Sequence, residues 1–265
     1  MSNLSNDLQA MQMAMSLRGF AQSTQRTYLA HLQRFQAFCS QPLSETGYPE
    51  VRAFLHHAIA IRNLSSAYVN SAYGALKFFF QSVLCREWNM LHVPRKKKQA
   101  FLPTVLSTSE VHRLLEATPN LKHKALLSTI YSAGLRVSEA THLRIKDIDS
   151  ANMRIFIRQA KGHKDRTSLL STKNLLLLRE YWKAYRLAVW LFPGVPDTKP
   201  IATRSVQFAF RRSLHAAGIE KDASIHALRH SFATHALNQG ATLLQIKELL
   251  GHADLRTTSL YVHLT

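Results

Sequence analysis

Residues 94–103 read Pro-Arg-Lys-Lys-Lys-Gln-Ala-Phe-Leu-Pro, and no other stretch restricts the possible folds as strongly. A proline interrupts the helical hydrogen-bond ladder and pushes the residue before it out of the α region. Four consecutive cations between two such breaks repel one another and bury little. The run reads as an extended, charged linker over 94–105, between a first domain of residues 1–93 and a second of residues 106–265. A chain of 265 residues is long enough for both.

The first domain reads as helical. Ser23 is placed as an N-cap ahead of Tyr28, Leu32, Phe35 and Cys39, which recur at helical spacing. A second apolar stripe, Val51, Phe54, Leu55, Ala58 and Ile59, follows Pro49. A third begins near Ser65–Ser66 and carries Tyr68, Val69, Ala72, Leu76, Phe79, Phe80 and Val83. Arg18, Arg26, Arg34, Arg52, Arg62 and Lys77 fall between these faces with few acidic neighbours, which favours a phosphate-facing role over simple solvation.

The second domain mixes helices with one β-rich stretch. Ser107 and Glu110 have the spacing of a capping box and open a helix through Val111, Leu114 and Leu115. Another runs from about Asn120 to Ala133 and stops at Gly134. Residues 153–158 alternate as a strand, then pass through a basic tip, Lys161-Gly162-His163-Lys164-Asp165, into a strand near 166–170. Helices follow over 172–186, 203–217 and 225–238, then from Thr242 to Gly251, with a last one near Leu255. The expected fold class is mainly α with a small β-hairpin or sheet (α+β).

The 34 Lys+Arg stand against 16 Asp+Glu, a formal net charge of +18. Eleven of those cations and four of the acids lie in residues 1–99, so both domains are basic. Such a chain attracts polyanions, nucleic acid first among them, although an anionic membrane surface or a ribosome-like scaffold reads similarly from charge alone. Cys39 and Cys85 lie outside any C-x-x-C pattern and read as small apolar residues in a reducing cytoplasm. Asp7 interrupts any signal-peptide pattern, and no stretch approaches the ~20 apolar residues that span a bilayer. The expected location is the cytoplasm.

His226 and Arg229, three apart, share a helix face. An arginine offers phosphate a planar fork of donors at any working pH. Alone, the pair is a weak signal, and a structural arginine bound to a carboxylate beside a surface histidine fits it better. His226 and His230 are four apart but lack the glutamate of H-E-x-x-H, so no metal site is expected. Arg136 follows Gly134 and can point into a cleft, with Glu139 three residues on to steady it. Lys161 shares the hairpin tip with Lys164 and Arg166. Tyr261, taken alone, reads as an ordinary core or surface aromatic.

In order, Arg136, Lys161, His226, Arg229, His252 and Tyr261 resemble the catalytic set of the tyrosine recombinase, or phage integrase, family. The segments around them, AGLRVSE, AKGHKDR, HALRHSFATH and LLGHADLRTTSLY, resemble it too. The likeness covers the whole chain, because the first domain is similar to the family's SAM-like core-binding domain. It is nearest to the compact Xer and integron-integrase types, without the arm-binding domain of larger phage integrases.

That resemblance implies a site-specific recombinase that breaks and rejoins DNA through a 3′-phosphotyrosyl link to Tyr261, with no metal, ATP or other cofactor. Arg136 and Arg229 would clamp the non-bridging oxygens, and His252 would add a hydrogen bond to them. His226 would accept a proton or donate to the phosphate, Lys161 would protonate the departing 5′ oxygen, and Glu139 would orient Arg136 or His252. Further candidates for DNA contact are Arg95, Lys96, Lys97, Lys98, Lys164 and Arg166. The implied partner is a double-stranded recombination site gripped by two domains in a C-shaped clamp. Four protomers on two sites are implied for strand exchange, and a cytoplasmic, nucleoid-associated location. The alternatives are a type IB topoisomerase-like activity and a catalytically silent DNA-binding relative. Only four residues follow Tyr261, where Xer-type relatives carry a tail that couples protomers, so the coupling, like the DNA target and the direction of reaction, stays open.

Overall fold

The structure, a computed structural model, describes residues 6–89, 92–93, 95, 103–160, 164–251, 254, 256–259 and 261. The chain divides into two compact units, Met1–Phe101 and Leu102–Thr265.

The first unit is helical: α1 (Asn6–Leu17), α2 (Gln22–Phe38), α3 (Tyr48–His56) and α4 (Ser66–Ser82). The apolar stripes meet in a core where Met11, Met15, Leu32, Phe35, Val51, Leu76 and Phe79 are fully enclosed. The Ser65 hydroxyl caps α4 by accepting the Tyr68 N–H at 3.2 Å. Buried Trp88 satisfies its indole N–H on the Tyr73 hydroxyl, 2.8 Å away.

Two details depart from the sequence reading. Ser23 is not the N-cap of α2; that position falls to Ala21, which makes no side-chain cap. The turn before it is tight: Gly19 takes a left-handed φ of 66°, and the Phe20 N–H closes back on the Met15 carbonyl at 3.0 Å. This leaves too few residues to hold Ser23 outside the helix, and it sits in the first turn instead. Ile59 was expected on the buried stripe but is exposed. After α3 the backbone widens into a π turn over His57–Ile61, which shifts the side-chain phase past Ala58.

The second unit holds α5 (Thr108–Glu116), α6 (Leu121–Ser132), α7 (Val137–Thr141), α8 (Thr172–Tyr185), α9 (Thr203–Ala216), α10 (His226–Asn238), α11 (Leu243–Leu250) and α12 (Arg256–Ser259). Its strands are β1 (Ile148–Asp149), β2 (Arg154–Ala160) and β3 (Lys164–Leu169). They form an antiparallel sheet in the order β1-β2-β3, so the expected hairpin gains a third, two-residue strand. Leu114, Leu126, Leu127, Ile155, Phe192, Phe210 and Leu228 form a fully enclosed core. The capping box opens α5: the Ser107 N–H donates to Glu110 Oε2 at 2.6 Å, and the Glu110 N–H to Ser107 Oγ at 3.2 Å. Among the described residues, no helix is long and apolar enough to cross a membrane.

Gly134 sets the course of the chain into the region of Arg136. It ends α6 with a φ of 60°, and a Cβ there would lie 2.4 Å from Phe232 Cδ1 and 2.8 Å from Leu250 Cδ2. Gly218 has nearly the same φ, 62°, with nothing within 4 Å of its absent Cβ. Gly218→Ala should therefore cost only the left-handed backbone term, about 1–2 kcal/mol. Gly134→Ala should add overpacking of about 1–3 kcal/mol. Calorimetric melting of the two variants measures the difference, and equal melting points would show that Phe232 and Leu250 move aside freely.

Candidate active site

The turn at Gly134 delivers Arg136 in extended conformation as the N-cap of α7, a five-residue helix too short for periodicity to reveal. Glu139 in its first turn folds back. Its Oε2 accepts the Arg136 backbone N–H at 2.8 Å, and its Oε1 accepts from Arg136 Nη1 at 2.7 Å. The same carboxylate takes Arg166 Nη2 from β3 at 2.9 Å and stands 3.7 Å from Arg229 Nη1 of α10. One carboxylate, its side chain 6% exposed, thus gathers three guanidinium groups from three elements. Three cations against one anion leave the cluster net positive, the electrostatic requirement for binding a phosphodiester.

Arg229 is the most enclosed of the three. Its Nη1 donates to the Gly134 carbonyl and its Nη2 to the Leu250 carbonyl, both at 2.8 Å, so it ties the end of α6 to the end of α11. Burial, and then the charge of Arg136, pull its pKa to about 10 against the pull of Glu139; it stays cationic at neutral pH.

Arg166 departs from the sequence reading. It was expected to face DNA from the hairpin tip, yet its side chain turns inward and is 10% exposed. Its stem lies where a Cβ on Gly251 would stand, 2.6 Å from Arg166 Cδ. Its Nε and Nη1 are buried with no hydrogen-bond partner among the described residues. Burial lowers its pKa, with Glu139 opposing. Arg166 belongs to the arginine cluster on Glu139 and is not a solvated tip residue.

Helix α10 carries the remaining groups. His226 is its first residue and exposed, Arg229 follows one turn on, and His230 comes next. Loss of hydration, with Arg229 and Arg136 nearby, lowers the His226 pKa. Tyr261 is 2% exposed and packs among Ala233, Ile246 and Leu250. Its hydroxyl lies 3.0 Å from His230 Nδ1. Burial raises its pKa, while Arg229 and Arg136 pull the other way.

The structure thus brings Arg136, Glu139, His226, Arg229 and Tyr261 together. Lys161, His252, Lys96, Lys97 and Lys98 lie outside the described residues. Lys164 opens β3, described by its backbone alone. Arg95 places its guanidinium over the Tyr73 ring, 5.5 Å from the centroid. Sequence reasoning missed His230, which it weighed only as a partner of His226 for a metal. The available signal was the four-residue spacing that sets both histidines on one helical face.

The architecture is that of the tyrosine recombinases. It matches the XerH site-specific recombinase, in a pre-cleavage complex bound to difH substrate, with a TM-score of 0.75 at 24% identity, covering 97% of this chain and 80% of that one. A Sinorhizobium fredii protein that carries an integrase/recombinase name is 38% identical over 257 residues, 97% of this chain and 83% of its own. Tyrosine recombinase XerD of Lacticaseibacillus casei is 32% identical over 272 residues, 94% of this chain and 90% of its own. Residues 104–265 match the phage integrase family and residues 8–90 the N-terminal SAM-like domain of phage integrases. The chain belongs to the phage integrase family.

Proposed function

We propose that this protein is a site-specific DNA recombinase in which Tyr261 attacks a DNA phosphodiester, forms a 3′-phosphotyrosyl link and releases a 5′ hydroxyl. The observation that carries this reading is the Tyr261 hydroxyl, held on α10 within the field of Arg136 and Arg229. Arg136 and Arg229 stabilise the charge that gathers on the non-bridging oxygens, and Glu139 holds their forks in place. His226, exposed at the start of α10, donates to the same phosphate. His252 adds a further hydrogen bond, and Lys161 protonates the 5′ oxygen as it leaves. The energy of the broken bond is kept in the phosphotyrosyl link, so rejoining needs no ATP.

Domain roles follow: residues 1–93 bind one face of duplex DNA, residues 106–265 carry the chemistry, and the basic segment 94–105 joins them. Arg95, Lys96, Lys97, Lys98 and Lys164 supply backbone contacts. Recombining two duplexes breaks four strands, and each protomer brings one Tyr261. Four protomers on two sites are therefore the working assembly, acting at the nucleoid.

The test uses nicked suicide duplexes drawn from the flanks of the protein's own gene. Wild-type protein should give an SDS-resistant protein–DNA band, and Tyr261→Phe should bind the same duplexes but give none. Tight binding without a band in either protein overturns the reading in favour of a silent DNA-binding relative.

A further inference from the structure

We propose that His230 is the catalytic base that receives the Tyr261 phenol proton, an assignment that rests on Tyr261 being the nucleophile. The hydroxyl is 3.0 Å from His230 Nδ1, and the two rings sit 5.7 Å apart by centroid at a tilt of 49°. His226, by contrast, is exposed at the first position of α10, placed to meet substrate.

For Tyr261 to pass its proton across this contact, Nδ1 has to be the acceptor, which puts the ring proton on Nε2. Burial, then the neighbouring His226 and Arg229, hold the His230 pKa at about 4. The ring is neutral at working pH and its lone pair is available. As Tyr261 Oη forms its bond to phosphorus, the phenol proton passes to Nδ1. The bond from phosphorus to the 5′ oxygen breaks with its electron pair on that oxygen, which takes a proton from the general acid, Lys161 in the reading above. Negative charge gathering on the phosphoryl oxygens stabilises the new imidazolium and offsets its low intrinsic pKa. In rejoining, the 5′ hydroxyl attacks and gives its proton back to the general acid, the phenol oxygen leaves, and Nδ1 returns its proton to it. The site then stands as it began, with no other reactant used.

The geometry makes the test specific. An asparagine amide places its oxygen near the position of Nδ1, and a glutamine amide reaches nearer Nε2. Full-length wild type, His230→Ala, His230→Asn, His230→Gln and Tyr261→Phe are compared on the same suicide duplexes, with single-turnover formation of the SDS-resistant band and gel-shift binding read separately. His230→Ala should slow the band by about 10²–10⁴-fold with DNA binding unchanged. His230→Asn and His230→Gln should lose as much as His230→Ala, because an amide oxygen can hold the phenol hydrogen bond but cannot take up the proton. Nitrogen-15 spectra of histidine-labelled wild type should show His230 in the Nε2–H form, a readout that holds even if the alanine variant folds poorly. Wild-type rates in His230→Ala, recovery in His230→Asn that would make His230 a positioning residue only, or an Nδ1–H tautomer would each overturn the assignment while leaving Tyr261 as nucleophile. A band that persists in Tyr261→Phe, or is absent from wild type, overturns both.

Discussion

Glu139→Ala should destabilise the second unit by about 3–5 kcal/mol, the usual cost of removing one partner from a buried ionic cluster. The carboxylate side chain is 6% exposed and faces Arg136, Arg166 and Arg229 at 2.7, 2.9 and 3.7 Å. Without it, three guanidinium groups, two of them largely buried, are left to repel one another. Glu139→Gln should cost nearly as much, because its amide nitrogen would point donors at donors. In Glu139→Ala the Arg136 N–H would also lose the acceptor that closes the first turn of α7. At about 2–4 °C per kcal/mol for a domain of this size, the melting point should fall by roughly 10 °C. Inorganic phosphate should narrow the gap, because an anion bound to the folded cavity replaces part of the missing charge. A variant that melts within a degree of wild type, with no response to phosphate, would mean that the arginines hold position without their shared counter-charge.

What the sequence disclosed and what it hid follow the same physics. Arg136, His226, Arg229 and Tyr261 were legible only as an ordered set: each alone fits an ordinary structural role, and the resemblance of their order and surrounding segments to the phage integrase family singles them out. Helix phase was legible along α4, where the apolar spacing runs for several turns, and was lost past Ala58, where the π turn shifts it. Arg166 was not legible. In β3, residues alternate faces, and Arg166 shares its face with Ser168, which is buried and donates to the Ala133 carbonyl at 2.7 Å. Leu169, on the opposite face, is 51% exposed. The inner face of this strand is polar and the outer face carries an apolar residue, so the usual reading of alternation points the wrong way. His230 was hidden for another reason. Its partner lies 31 residues on, and no spacing rule connects them until the chain has folded.

Arg229→Lys should lower the rate of covalent complex formation by about 10²–10³-fold while leaving overall DNA affinity almost unchanged. The charge is conserved in this variant, and long-range attraction to the phosphate backbone depends on charge. The planar fork is lost. Arg229 spans two carbonyls, Gly134 and Leu250, 2.8 Å from each, and by doing so fixes the turn that presents Arg136 against the end of α11. A lysine ammonium is a single point with no fixed plane and cannot bridge both while also facing a phosphate. Leaving one buried carbonyl without its donor should cost a further ~1–3 kcal/mol of stability. Arg136→Lys gives the contrast. Its side chain is 23% exposed and its ion pair is with Glu139 three residues away, so its stability loss should be smaller for a comparable loss of rate. Single-turnover cleavage at saturating protein, with melting of each variant, separates the two. If Arg229→Lys cleaves at the wild-type rate, the site needs only positive charge, and the carbonyl bridge is structure without catalytic consequence.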